Sequence, residues 1–124
     1  MNKVLVTGST GFVGKQTIPF LLEKGYEVHA VSTQMHPSNH PRLIRHQCNL
    51  FDADGTASLL REIQPSHLLH FAWIATPGIH TSSPENVTWM EASLRLVRLF
   101  VENGGKRVVA AGDDDGLPDA QQLL

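Results

Sequence analysis

The chain has 124 residues, 41% hydrophobic and 18% charged, with a formal net charge of −2; this is a single-domain length with an ordinary globular composition. Near-neutral charge and scattered lysines and arginines exclude a nucleic-acid or membrane surface, and no apolar run approaches the roughly 20 residues of a membrane span. The one cysteine, Cys48, has no internal disulfide partner, and the chain opens without a signal peptide's apolar stretch, so a cytoplasmic protein is expected.

Strand and helix signals then alternate. Lys3–Thr7 reads as a short buried strand. Gly11–Lys24 reads as a helix stopped by Gly25. Pro19 inside it lacks a backbone donor, which predicts a kink. Tyr26–Ser32 is the second strand. Thr33–Pro41 is a polar loop containing Pro37, Asn39 and Pro41. Leu43–Cys48 is a short third strand. Asp54–Ile63 is a helix capped by Asp52 or Asp54. His67–Trp73 is the fourth strand, and Ile74–Pro84 a loop. Glu85–Asn103 is the longest helix. Its residues Val87, Met90, Leu94, Val97 and Val101 share one stripe at helical spacing, so that stripe is its core face. Arg95 and Arg98 then fall on the solvent face. Asn103-Gly104-Gly105 ends the helix, and Arg107–Ala111 is the fifth strand. From Gly112 the chain turns acidic, and 112–124 reads as a frayed tail.

The richest signal is Thr7-Gly8-Ser9-Thr10-Gly11-Phe12-Val13-Gly14, which joins the first strand to the first helix. Gly8 permits a sharp turn off the strand. Gly11, without a Cβ, lets a pyrophosphate approach the backbone. Gly14 lets the helix pack tightly on the sheet. The helix start then aims free N–H groups and a partial positive charge at the phosphates. Strand before and helix after make this a dinucleotide cradle rather than a chance glycine-rich turn.

These residues resemble the opening of the extended short-chain dehydrogenase/reductases, the NAD(P)-dependent nucleotide-sugar epimerases, dehydratases and reductases. The resemblance continues at His70-Phe71-Ala72-Trp73, at Asn86-Val87 and at Lys106-Arg107-Val108-Val109, and covers roughly Lys3 to Ala111. It implies that backbone amides of Phe12 and Val13 hold the pyrophosphate. Where NAD users of the family carry an acid after the second strand, this chain has Ser32 and then Thr33. No carboxylate there repels a 2′-phosphate and two hydroxyls are available to bond one, which tilts the cofactor toward NADP over NAD. An ordinary loop start is the other reading of that pair. Asn49-Leu50 matches the pair that reads adenine, and an amide both donates and accepts. Phe71, Ala72 and Trp73 line the nicotinamide half of the groove or else end a core strand. Asn86 lies near the nicotinamide ribose or serves only the helix start.

The same resemblance exposes a gap. The family's acid/base is a tyrosine, with a lysine four residues later that lowers its pKa. Tyr26 is the only tyrosine here, and four residues later stands Ala30. The position of the family's orienting hydroxyl falls near Asp113. No catalytic residue is therefore assigned, and a nucleotide sugar is a partner only for a full-length form. The switch at Gly112 reads as truncation or a change of frame. The seven histidines show no metal-ligand spacing, so no metal site is expected; His70 reads as packing. The family's dimers use the long helix, and an open fifth strand invites pairing, so a homodimer is possible. The expected fold is a Rossmann-type, doubly wound parallel α/β sheet over 1–111, about five strands in order 3-2-1-4-5, with the dinucleotide at the carboxyl ends.

Overall fold

A computed structural model describes residues 2–71 and 84–110, with the backbone alone for 84–87 and 110. The acidic stretch from Gly112, the Ile74–Ser83 part of the loop, and Ala72 and Trp73 lie outside the described residues.

The elements are β1 (Lys3–Thr7), α1 (Phe12–Glu23), β2 (Glu27–Ser32), β3 (Leu43–Gln47), α2 (Ala53–Ile63), β4 (His67–His70), α3 (Pro84–Glu102) and β5 (Arg107–Ala110). They form one parallel five-stranded sheet in the order β3-β2-β1-β4-β5, as the alternation of signals predicts. Central β1 takes Val28 opposite Val4 on one side and Leu68 opposite Leu5 on the other.

Side chains alternate across each strand, so β1 feeds two cores. Val4 and Val6 join Ile18, Leu21, Leu22, Val28, Ala30 and Leu69 under α1. Leu5 joins Val31, Leu59, Leu60, Leu68, Leu96 and Phe100 under α2 and α3. Burial on both faces is why β1 reads as an unbroken apolar run.

Three expectations are corrected. The core face of α3 is Ala92, Leu96 and Phe100, whereas Met90, Leu94 and Val101 are exposed. Both stripes have helical spacing, and their centres lie roughly 140° apart around the helix. The larger side chains decide: Phe100 fills the space beside the sheet, and a Cβ on Gly105 would fall on its ring. Arg95 is likewise not a solvent residue. It lies beside the true core face and donates from Nη2 to the Leu50 carbonyl at 2.8 Å, tying α3 to the β3–α2 loop. Asp52 is the N-cap of α2, but its side chain caps nothing. Helix α1 stays one element across Pro19.

Edge strand β3 is held to β2 by more than its ladder. His29 Nε2 lies 2.7 Å from a Glu27 carboxylate oxygen, and His29 Nδ1 lies 2.8 Å from His46 Nε2. The carboxylate only accepts, so His29 donates to it from Nε2, leaving Nδ1 to accept a hydrogen bond from His46 Nε2–H. The hydrogen bond from His29 holds the Glu27 carboxyl below its usual pKa, and burial lowers that of His46.

Candidate functional site

β1 delivers the chain to its carboxyl edge at Thr7. Gly8 then adopts φ +66°, a left-handed conformation that costs a side-chain-bearing residue energy. The Gly11 N–H closes the turn on the Gly8 carbonyl at 3.1 Å. Ser9 is buried, and its hydroxyl donates to the Val31 carbonyl at 3.1 Å, which anchors the turn to the end of β2. Helix α1 begins at once, with Gly11 as an N-cap that offers no side-chain acceptor. Among the described residues, the N–H groups of Phe12, Val13 and Gly14 meet no acceptor. Three aligned donors at a helix start attract an anion.

Gly14 has a different partner from the one the sequence suggests. A Cβ there would fall on the Gly8 carbonyl oxygen and within 2.8 Å of Ser9 Cα. The third glycine therefore packs the helix onto its own turn rather than onto the sheet.

Beside the turn, a cleft of about 230 Å³ crosses the carboxyl ends of β1, β2 and β3. Gly8 and Thr10 line it from the turn, Ser32 and Thr33 from the end of β2, and Asn49, Leu50 and Phe51 from the segment after β3. Trp89 of α3 closes the far side, its ring edge-on to Phe51 at 4.7 Å between centroids. The sequence reading missed Trp89 because the wrong stripe of α3 was taken as the inner face.

Two polar groups in the cleft are partly committed. The Asn49 side-chain oxygen accepts from the Phe51 N–H at 3.0 Å, which leaves the amide's N–H₂ as the group on offer. The Ser32 hydroxyl donates to the Gln34 carbonyl, so its proton is already used within the loop. Of the two hydroxyls expected to bond a phosphate, only that of Thr33 remains uncommitted among the described residues. Cys48 also lines the cleft, and burial raises its thiol pKa.

Behind the cleft, His70 is buried at the end of β4. Its Nδ1 lies 2.6 Å from the Thr7 hydroxyl and its Nε2 2.8 Å from that of Ser93 on α3. Burial lowers its pKa to about 4, so the ring is neutral near pH 7. The next residue, Phe71, has its ring in the α1-side core, which is the core alternative of its two readings. Asn86 is the third residue of α3.

The family model for the NAD dependent epimerase/dehydratase family matches residues 4–122. The chain belongs to that family. It is 30% identical over 120 residues to a GDP-mannose 4,6-dehydratase of Yersinia enterocolitica, covering 84% of this chain and 32% of that protein. It is 30% identical over 91 residues to a UDP-glucose 4-epimerase of Schizosaccharomyces pombe, covering 65% of this chain and 26% of that protein. Among solved structures, the UDP-glucose 4-epimerase of Thermotoga maritima with UDP-glucose superposes with TM-score 0.73 at 23% identity, over 89% of this chain and 37% of that one. WbmH of Bordetella bronchiseptica, in complex with NAD+, superposes with TM-score 0.67 at 21% identity, over 87% and 38%. The chain thus spans about a third of the length of these relatives.

Within this epimerase/dehydratase chain, Tyr26 stands far from the site. It precedes β2 at the amino edge of the sheet, with its ring 5.5 Å from that of His67, the first residue of β4. The glycine turn and the cleft lie at the opposite, carboxyl edge.

Proposed function

We propose that this chain is the NAD(P)-binding part of a nucleotide-sugar epimerase, dehydratase or reductase and is catalytically silent by itself. The supporting observation is the set of three open amides on Phe12, Val13 and Gly14 at a helix start packed against its own glycine turn. The amides of Phe12, Val13 and Gly14 hold the diphosphate, with Gly8 turning the chain toward it and Gly11 keeping the approach clear. The cleft takes the adenosine half, with Ser32 and Thr33 at the ribose, Asn49 and Leu50 at the adenine, and Trp89 against its face. Ala72, Trp73 and Asn86 belong to the nicotinamide half on family resemblance. The cofactor supplies hydride transfer; the chain's own groups bind and orient it. NADP is preferred over NAD, and the setting is cytoplasmic.

Silence rests on Tyr26, the chain's only tyrosine, which sits at the wrong edge of the sheet. A nucleotide sugar is a ligand of a full-length form. The exposed stripe of Met90, Leu94 and Val101 supports a further partner, a second copy of the chain.

Titration of the purified chain with NADPH and with NADH, followed by nicotinamide fluorescence, tests this reading. Saturable binding is expected. No saturable binding of either cofactor overturns it, and turnover of UDP-glucose or GDP-mannose by the isolated chain overturns the silence.

A further inference from the structure

Across the glycine turn from the cleft lies a second groove of about 510 Å³, between α1 and the segment that leads into β3. Ser9 lines this groove while its neighbours Gly8 and Thr10 line the cleft, so the turn is a wall shared by both. Lys15, Arg42 and Arg45 line the groove, and among the described residues Glu23 is the one carboxylate that lines it. Arg42 is already engaged, donating to the Leu22 carbonyl at 2.7 Å. The side chains of Lys15 and Arg45 have no ion pair or hydrogen bond among the described residues. Arg45 Nε is buried without an acceptor, a state that costs free energy until an anion arrives.

The register explains how Arg45 reaches this place. It stands opposite Ala30, on the sheet face under α1, two positions before the end of β3. Arg45 also borders the space that holds Thr33, the residue that follows β2 at the cleft, a space that Asp52 and Glu62 line as well. Lys15 comes from the first turn of α1, where the helix start adds its own positive charge. An anion attached to the adenosine ribose near Ser32 and Thr33 thus has two unpaired cations within the neighbouring groove and no carboxylate at the end of β2.

Resting on the dinucleotide reading above, we propose that this groove takes the 2′-phosphate of NADP, with Lys15 and Arg45 as its cationic ligands. Lys15 acts as a point charge. Arg45 adds directed donors, including the orphaned Nε–H. The committed hydroxyl of Ser32 supports this assignment: with that proton on the Gln34 carbonyl, the β2 end offers a dianion the Thr33 hydroxyl alone.

The test is calorimetric titration of the 124-residue chain and of its Lys15→Gln and Arg45→Gln variants with NADPH, NADH, adenosine 2′,5′-bisphosphate and 5′-AMP. Lys15 is exposed, so its substitution leaves the fold intact. The chain is expected to favour each 2′-phosphorylated ligand over its counterpart. Each variant lowers affinity for NADPH and the bisphosphate by about ten-fold, with the loss concentrated on those two ligands. Arg45→Lys restores charge but not the Nε donor, and recovers only part of the loss. Equal affinity for NADPH and NADH, or equal losses for both in the variants, overturns the proposal while leaving the dinucleotide site standing. Failure of all four ligands to bind overturns the underlying reading as well.

Discussion

Thr7 and His70 share a buried hydrogen bond of 2.6 Å that joins the carboxyl ends of β1 and β4. Gly8 follows Thr7, and Ser93 holds the other ring nitrogen, so one neutral imidazole ties the glycine turn to α3. Burial disfavours the charged ring and lowers its pKa from 6.5 to about 4. The stabilising contribution is fully present above about pH 6.5, because neither the folded nor the unfolded chain then carries the proton. As pH falls from 6.5 toward 4 the unfolded chain takes up a proton that the folded chain refuses, and stability is lost by about 3 kcal/mol. Urea unfolding at pH 7 and pH 4.5 checks this against His70→Gln, which has no ring to titrate. The wild type should lose more stability than the variant over that range; identical losses contradict the assignment.

Leu96 and Leu94 are two residues apart on α3 and differ completely in surroundings: Leu96 is fully buried, and Leu94 is 66% exposed. Leu96→Ala should cost about 2–5 kcal/mol through a cavity beside Leu5 and Leu68. Leu94→Ala should stay within about 0.5 kcal/mol. If pairing with a second copy uses this face, Leu94→Asp should also abolish any concentration-dependent dimer seen by sedimentation. Reversed stability effects would show that the sequence's first choice of stripe was right.

That pair also marks where sequence reading stops. The parallel sheet was legible in the alternation of strand and helix signals, with β1 reading as the continuous apolar run Val4-Leu5-Val6, and the strand order followed from the Rossmann-type reading. The turn was legible because its glycines sit between strand and helix. The phase of α3 was not, since apolar residues at 90, 94 and 101 satisfy helical spacing as well as those at 92, 96 and 100. Trp89 was lost with that choice, as was the role of Arg95. The Arg45 groove was invisible for another reason: Lys15 and Arg45 are thirty residues apart, and only sheet register brings them to one wall. Nor does composition reveal that Ser32 and Asn49 spend hydrogen bonds on their own loops.

Gly14 and Gly11 predict opposite outcomes. Gly14→Ala drives a methyl group into the Gly8 carbonyl and should destabilise the fold by about 1–3 kcal/mol. Gly11 has φ −77° and ψ 175°, a conformation open to any residue. Gly11→Val should therefore keep a near-wild-type melting temperature and lose cofactor binding, because its bulk stands where the diphosphate must approach. Melting curves and NADPH titration of both variants separate the two roles.

Trp89 should act on both cofactors alike, since the adenine is common to them. Trp89→Leu is expected to weaken NADH and NADPH by a similar factor of about three to ten. A loss confined to one cofactor would place the adenine elsewhere.

The central claim is that main-chain N–H groups of Phe12, Val13 and Gly14 hold a dinucleotide diphosphate. Amide NMR of the ¹⁵N-labelled chain during titration with NADPH reads those groups directly. The account predicts that the Phe12, Val13 and Gly14 amide protons move downfield as the site saturates, and that Gly11→Val suppresses the shifts. Saturable binding that leaves these three resonances unmoved would contradict it.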